Sequence, residues 1–309
     1  MSGGVISMQQ RTIAEKISCT GIGLHTGEPV QLTLHPARAG TGIVFVRTDS
    51  TYPVEIPASP SSLARTHLAT TLGRGDATVD TVEHLLAALY CLGIDNVRVE
   101  VDGPEIPGMD GSAASFVFLI RAAGIFEQNE PRSELRIRRP VEIRDGLKRI
   151  RIEPAHSFQV SYCVDFEHPA IGRQEIGSLT IDEHTFEREI SRARTFGFVQ
   201  DVEALWRHGR ARGASLDNTV VLDEQRVLNR GGLRFADEFV RHKALDLLGD
   251  LALLGVPIRG HVIVERGGHA LHQQLVAALA GERAARRIEI GDFLPTPEID
   301  PIPLQAALR

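Results

Sequence analysis

Apolar and polar positions alternate with period two near the start of the chain. Val30-Gln-Leu-Thr-Leu-His35 alternates in this way, and together with Ile17-Ser-Cys-Thr20 it predicts strands within residues 11–48. Between these runs, Gly21-Ile-Gly-Leu-His25-Thr-Gly27 has the glycines of a tight hairpin turn, but turn chemistry does not account for His25 at its tip. Pro53, Pro57 and Pro60 predict a loop or edge insertion over 49–61 rather than a central strand. The pattern then turns helical. Thr81-Val-Glu83-His84 runs into Leu85-Leu-Ala-Ala-Leu-Tyr-Cys-Leu-Gly93, with Asp80 or Thr81 as the expected cap and Gly93 as the stop. A strand is expected over 96–101, a loop of turn residues over 102–111, and a second apolar helix over about 113–123, capped by Ser112.

The second half repeats this order. A polar break at 127–133 is expected to be the linker. Strands are expected at about 135–143, 148–154 and 158–166, then a helix from Glu238 towards Gly255. A strand at 260–265, the turn Arg266-Gly-Gly-His269 and a helix at 270–280 follow. Each half therefore reads strands, helix, glycine stop, strand, turn, helix. The register agrees too: His84 lies nine residues before Gly93, and Asp246 nine before Gly255. The insertion at 199–222 has no counterpart in the first half. It reads as a helix over 199–208 and a strand over 214–222, either a surface βαβ decoration or an apolar channel wall. Pro295, Pro297, Pro301 and Pro303 predict an extended surface tail.

A chain of 309 residues is long for one domain, so two are expected. The net charge of −6, with no basic cluster interleaved with aromatics, argues against nucleic-acid binding. Cys19, Cys91 and Cys163 are far apart and form no CxxC pair, which fits a reducing cytoplasm and excludes a thiolate zinc cluster. Residues 1–10 lack the basic and apolar regions of a signal peptide, and runs such as 85–94 are too short to span a bilayer.

The chemistry concentrates on Glu238-Phe-Val-Arg-His242-Lys-Ala-Leu-Asp246-Leu-Leu-Gly-Asp250. Helical spacing puts His242, Asp246 and Asp250 on one face, beside an apolar stripe of leucines. Burying two acids and an imidazole together is costly unless something binds them, and a divalent metal would; the alternative is a solvated face. Catalytic zinc takes three protein ligands and keeps a position open. His242 and Asp246 supply two, and the matching register makes His84 the candidate third. Glu83 diverges from His84 by about 100° on a helix, so it is placed to take a proton from water rather than to ligate. His269 in its glycine turn is the candidate acid, with Asp250 to keep it protonated. Thr195 is a candidate donor to a developing oxyanion. Each has a plainer alternative: Glu83 as half of a capping box, His269 as a turn histidine, Thr195 as a strand cap. No HExxH motif certifies a metal, and spacing alone ends at a possible metal hydrolase.

The motifs resemble one family, the UDP-3-O-acyl-N-acetylglucosamine deacetylases. The resemblance rests on Gly21–Gly27, Thr81-Val-Glu-His-Leu-Leu-Ala-Ala-Leu89, Gly93-Ile-Asp-Asn96, Pro104-Glu-Ile-Pro-Gly-Met-Asp-Gly-Ser-Ala-Ala114, Ser191-Arg-Ala-Arg-Thr-Phe-Gly-Phe198, Arg226-Val-Leu-Asn229, Gly232-Leu-Arg-Phe235, Asp237-Glu-Phe-Val-Arg-His-Lys243 and Gly268-His-Ala-Leu271. It implies one catalytic zinc ion (Zn2+) on His84, His242 and Asp246. Glu83 is implied as general base, and His269 as general acid with Asp250 behind it. Thr195 would polarise the amide carbonyl, Lys243 would meet the anionic nucleotide part, Phe196 would pack on the sugar, and Phe166 would stack on uracil. Val199, Val202, Ala211, Ala214 and Val221 are implied to line an acyl-chain passage. The implied fold is α+β: two duplicated β-α-α-β sandwich domains, 1–130 and 131–309, with helices packed at their interface and a βαβ-type insertion in the second. The implied activity is zinc-dependent removal of an N-acetyl group from a UDP-linked acylated amino sugar in lipid A biosynthesis, by a cytoplasmic monomer without a membrane segment. Residues 61–76 and the C-terminal tail match the family poorly. The rival readings are a catalytically silent nucleotide-sugar binding protein and a metallopeptidase.

Overall fold

The computed structural model describes residues 9–281 and the backbone of 285–289, and the chain is mixed α and β, with several sheets and six α-helices among those residues. The proline-rich tail lies outside the described residues. In the first half, β1 (Gln9–Ile13) leads into β2 (Ile17–Ile22), β3 (Pro29–Pro36), β4 (Ile43–Arg47) and β5 (Val54–Pro57). The small strands β6 (Leu63–Arg65), β7 (Thr71–Arg74) and β8 (Ala77–Val79) form a separate three-stranded sheet. Helix α1 (Glu83–Cys91), strand β9 (Val97–Val101), helix α2 (Ala114–Ala123) and strand β10 (Ile125–Pro131) follow. The main sheet has the order β2-β3-β9-β4-β5. Its central strand β9 runs antiparallel to β3 and parallel to β4. Alternation buries Val97, Val99 and Val101 of β9 with Leu32 and Leu34 of β3, so this face of the sheet carries the core. The proline-bearing β5 is an edge strand, where a missing N–H costs least.

The second half contains β11 (Ser133–Ile137), β12 (Val141–Asp145), β13 (Lys148–Glu153), β14 (Phe158–Asp165) and β15 (Arg173–Thr180). After them come α3 (Glu183–Thr185), β16 (Phe196–Phe198), α4 (Val199–Arg207), β17 (Val220–Leu222), α5 (Glu238–Leu251), β18 (Ile258–Glu265), α6 (His269–Ala280) and β19 (Ala285–Glu289). Strand β18 lies between β13, to which it is antiparallel, and β14, to which it is parallel. The run β12-β13-β18-β14-β15 thus has the same order and directions as β2-β3-β9-β4-β5. In both halves the last strand to join enters the middle, directly after the long buried helix.

Helices α1 and α5 pack against each other. Neither has a wet face: all of α1 except Tyr90 is buried, and α5 exposes little beyond Arg241 and Lys243. Their acids and imidazoles therefore lie inside the protein. Gly249 makes the close approach possible. A Cβ there would stand 2.0 Å from the Glu83 carbonyl oxygen and 2.8 Å from its Cα. No described helix is long and apolar enough to cross a membrane.

Several expectations need correction. The break at 127–133 is no linker: β10 pairs antiparallel with β1, and its residues are polar because they are mostly exposed. Asp80 and Thr81 do not cap α1, whose first turn has no side-chain cap. Thr81 instead sits in the left-handed region at φ 61°, held by a hydrogen bond from its hydroxyl to Glu105. Ser112 stands one residue outside the cap of α2, although its hydroxyl still accepts the Ala114 N–H. The strand expected at 135–143 is split around Pro140, which cannot donate to a ladder. The strand expected at 214–222 shrinks to β17, paired parallel with β16. Strands β6–β8 and β15 were not anticipated. They are short or largely exposed, so they carry little alternation.

Candidate metal and catalytic site

The site grows from the crossing of α1 and α5. His84 and Glu83 sit in the first turn of α1, turned inward after the strained Thr81. From α5, His242 and Asp246 stand one helical turn apart on the face that meets α1. His84 Nε2 lies 3.6 Å and His242 Nε2 3.2 Å from Asp246 Oδ1. The two imidazole rings are 5.0 Å apart and nearly perpendicular, and the ligand atoms of the three residues lie within 4.8 Å of one another. The His242 Nδ1–H donates to the Ala193 carbonyl at 3.1 Å, so Nε2 presents its lone pair to the cluster. Burial pushes the His242 imidazole down to about 4, with His84 and Lys243 adding to the effect against Asp246, so it is neutral. Burial would raise Asp246, but His242 and Lys243 hold its carboxyl well below the usual range. Its Oδ2 accepts from Lys243 Nζ at 2.8 Å, while Oδ1 is buried without a hydrogen-bond partner. A bare carboxylate oxygen beside a lone-pair nitrogen is costly in a dry interior. Two imidazole nitrogens and one carboxylate oxygen from two helices fit a divalent cation of the zinc type.

On one side of this trio is Glu83, whose Oε2 accepts the Thr70 N–H at 3.0 Å. Burial raises its carboxyl, against the opposing pull of His269 and His84. His269, the first residue of α6, places Nε2 3.9 Å from Glu83 Oε1 and 3.8 Å from Asp246 Oδ2. Its Nδ1 meets Asp250 Oδ2 at 2.8 Å. Burial alone would lower His269, but the Asp250 carboxylate outweighs it and raises the imidazole to about 9. Asp250 accepts from His269, His272 Nδ1 at 2.8 Å, Gln273 Nε2 at 3.0 Å and the Thr70 hydroxyl, and is held below the usual carboxylate range despite its burial. His272 Nε2 is engaged by the Tyr162 hydroxyl at 3.0 Å, so the Asp250–His269–His272 group has no free donor set for a metal.

A cavity of about 460 Å³ opens over these groups, lined by Glu83, His84, His242, Asp246 and His269 together with Thr195, Phe196, Phe166 and Lys243. Thr195 is fixed by its N–H to Gly111 and by its carbonyl to Val220. The Lys243 ammonium lies 5.6 Å from the centre of the Phe196 ring, and Phe196 meets Phe166 edge-on at 5.7 Å. Val202, Ala211, Ala214 and Val221 line the cavity wall. Val199 does not: it is 46% exposed and lies off the lining, because the first turn of α4 projects it outward. A second cavity of about 530 Å³ shares Lys148, Phe166 and Lys243 with the first and adds Arg266; Lys148 and Arg266 are two cations that the sequence reading missed. They lie on strand ends, where nothing in the local pattern sets them apart from other surface charges. Thr70, His272 and Gln273 were missed as well. The His272-Gln273 pair on the helix that begins at His269 was the available signal for two of them; for Thr70 there was none.

Comparison with known proteins places nearly the whole of the described chain in one family. A family model described as LpxC: UDP-3-O-acyl N-acetylglycosamine deacetylase matches residues 10–281. The chain is 52% identical over 282 residues to a UDP-3-O-acyl-N-acetylglucosamine deacetylase of Myxococcus xanthus (strain DK1622), covering 91% of this chain and 90% of that one. It is 51% identical over 282 residues to the protein of the same name from Anaeromyxobacter dehalogenans (strain 2CP-C), covering 91% of each.

Proposed function

The chain belongs to the UDP-3-O-acyl-N-acetylglucosamine deacetylase family, and from that premise we propose that it hydrolyses the N-acetyl amide of UDP-3-O-acyl-N-acetylglucosamine in lipid A biosynthesis. The observation that carries the chemistry is the orphaned Asp246 Oδ1 facing His242 Nε2 and His84 Nε2 from two helices. His84, His242 and Asp246 would hold a zinc ion, which would supply a Lewis acid able to lower the pKa of water and polarise the amide carbonyl. Glu83, with Oε2 tied to Thr70 and Oε1 3.9 Å from His269 Nε2, takes the proton from the attacking water. The Thr195 hydroxyl donates to the carbonyl oxygen as it gains charge. The water oxygen bonds to the carbonyl carbon, the carbon–nitrogen bond breaks, and His269 Nε2–H gives its proton to the departing nitrogen. Acetate and the free amine leave. Asp250 keeps His269 charged until that moment.

The substrate lies across both cavities in this reading. Lys243, with Lys148 and Arg266 nearby, meets the diphosphate, Phe166 stacks on uracil and Phe196 packs on the sugar. The apolar wall from Val202 to Val221 takes the acyl chain, with the 199–222 insertion as its frame. The two equal strand orders support a duplicated β-α-α-β fold with domains 1–130 and 131–309, the site lying between α1 and α5. We place the protein in the cytoplasm as a monomer.

The test is acetate release from UDP-3-O-acyl-N-acetylglucosamine together with bound metal, for the parent and His242→Ala. The parent should carry about one zinc ion per chain and release acetate, and the variant should lose both. A metal-loaded parent that binds the nucleotide sugar but releases no acetate would sink the reading and leave a binding protein.

A further inference from the structure

Thr70 lies immediately before β7 and touches none of the reacting atoms in the proposed reaction, yet its backbone and side chain meet both partners of the acid–base pair. It is fully buried. Its N–H donates to Glu83 Oε2 at 3.0 Å, and its carbonyl accepts the Val82 N–H at 3.3 Å, just ahead of α1. Its hydroxyl donates to Asp250 Oδ1 and lies 3.2 Å from His269 Nδ1. An ionised carboxylate only accepts, so the one hydroxyl hydrogen goes to Asp250, and the oxygen is left to share the His269 Nδ1–H. Glu83 comes from α1, Asp250 from α5 and His269 from α6. The direct link between Glu83 and His269 is only a 3.9 Å approach. Thr70 is the short path between them.

We propose that Thr70 is a positioning residue for the deacetylation: one side chain and its own N–H fix the Glu83 carboxylate and the Asp250–His269 pair relative to each other across the two halves. The inference rests on the proposed reaction. Proton removal on one side of the amide and delivery on the other need both groups within a few tenths of an ångström of their working positions, and about 1 Å of misplacement costs roughly 100-fold. A hydroxyl serving stability alone would leave turnover intact in whatever protein remained folded.

The experiment compares Thr70→Val, which keeps the shape and the N–H but removes the hydroxyl, with Thr70→Ser, which keeps the hydroxyl. Expected for Thr70→Val are a kcat lower by roughly 10- to 100-fold, a KM within about twofold, and a zinc content equal to the parent's. Thr70→Ser should recover most of kcat. The inference is overturned if Thr70→Val turns over like the parent, if it loses its metal, or if Thr70→Ser is as slow as Thr70→Val. Should the valine fail to fold, Thr70→Ala against Thr70→Ser makes the same comparison with the same outcomes. A parent that releases no acetate would bring down the proposed reaction instead, so the two failures are separable.

Discussion

Asp250 governs the pH behaviour of the site, because it is the anion that keeps His269 charged against burial. The imidazole is raised from 6.5 to about 9, so the stabilisation from this pair is complete below about 6.5 and is lost as pH rises through about 9. Turnover should fall on the same alkaline limb, since the proposed acid is spent there. On the acid side it should fall as the Glu83 carboxyl protonates, above the ordinary ~4.3 for Glu because burial raises it. In Asp250→Asn the strongest opposition to burial is gone and only Glu83 and Asp246 still favour the charged imidazole, so the alkaline limb should move down from about 9. A kcat profile across pH measures this directly, and an unmoved limb would assign the acid to another group. At this scale much of the site was legible. Helical spacing alone grouped His242 with Asp246, and the nine-residue register singled out His84. Thr70 was not legible, because its partners Asp250 and His269 are 180 and 199 positions away and no periodic pattern surrounds it.

Among the elements, the helices were readable because apolar residues run through α1 and form a stripe along α5, and glycines follow at Gly93 and Gly255. The starting signals misled. Asp80 and Thr81 look like caps, but Thr81 turns left-handed and Asp80 bonds to Arg65, Arg210 and Thr71, so α1 begins bare. The Val82 N–H just ahead of its first turn donates to the Thr70 carbonyl instead. Gly249 also reads wrongly in isolation, as a helix-weakening residue. Its reason is the Glu83 backbone, which leaves no room for a Cβ. Gly249→Ala should therefore push α1 away from α5, against the intrinsic helix gain of about 1 kcal/mol for alanine. Overpacking of this kind costs about 1–3 kcal/mol, and here the shift also pulls His84 away from Asp246. The expected result is a lower unfolding midpoint and zinc content below the parent's. A variant with parental stability and metal would mean that the crossing has slack.

On the scale of the whole molecule, the insertion of the second half is fastened to the first half, and the site is closed by that union. Glu105 shapes the loop after β2 by accepting from the His25 and Thr26 backbone and from the Thr26 and Thr81 hydroxyls. That loop in turn receives the insertion: the Arg212 N–H donates to the His25 carbonyl and the Gly213 N–H to the Leu24 carbonyl, both at 3.1 Å. Arg210 adds an ion pair to Asp80 at 2.8 Å. The repeated succession of elements along the two halves was readable from the pattern and its glycine stops, but the order of strands within each sheet was not. Nor was this fastening, since a turn-like Gly-Ile-Gly-Leu-His-Thr-Gly gives no hint of what docks on it. Arg210→Ala removes one charge-assisted bond while Asp80 keeps Arg65 and Thr71, so the fold should survive. The loosened wall should raise KM for the acylated substrate by roughly tenfold, the ~1.4 kcal/mol of one such bond, with kcat within about twofold. Hydrogen exchange over 199–214 should quicken in parallel. A UDP sugar without the acyl chain should show no KM change. If both substrates weaken alike, the insertion acts on the sugar or nucleotide and the acyl passage lies elsewhere.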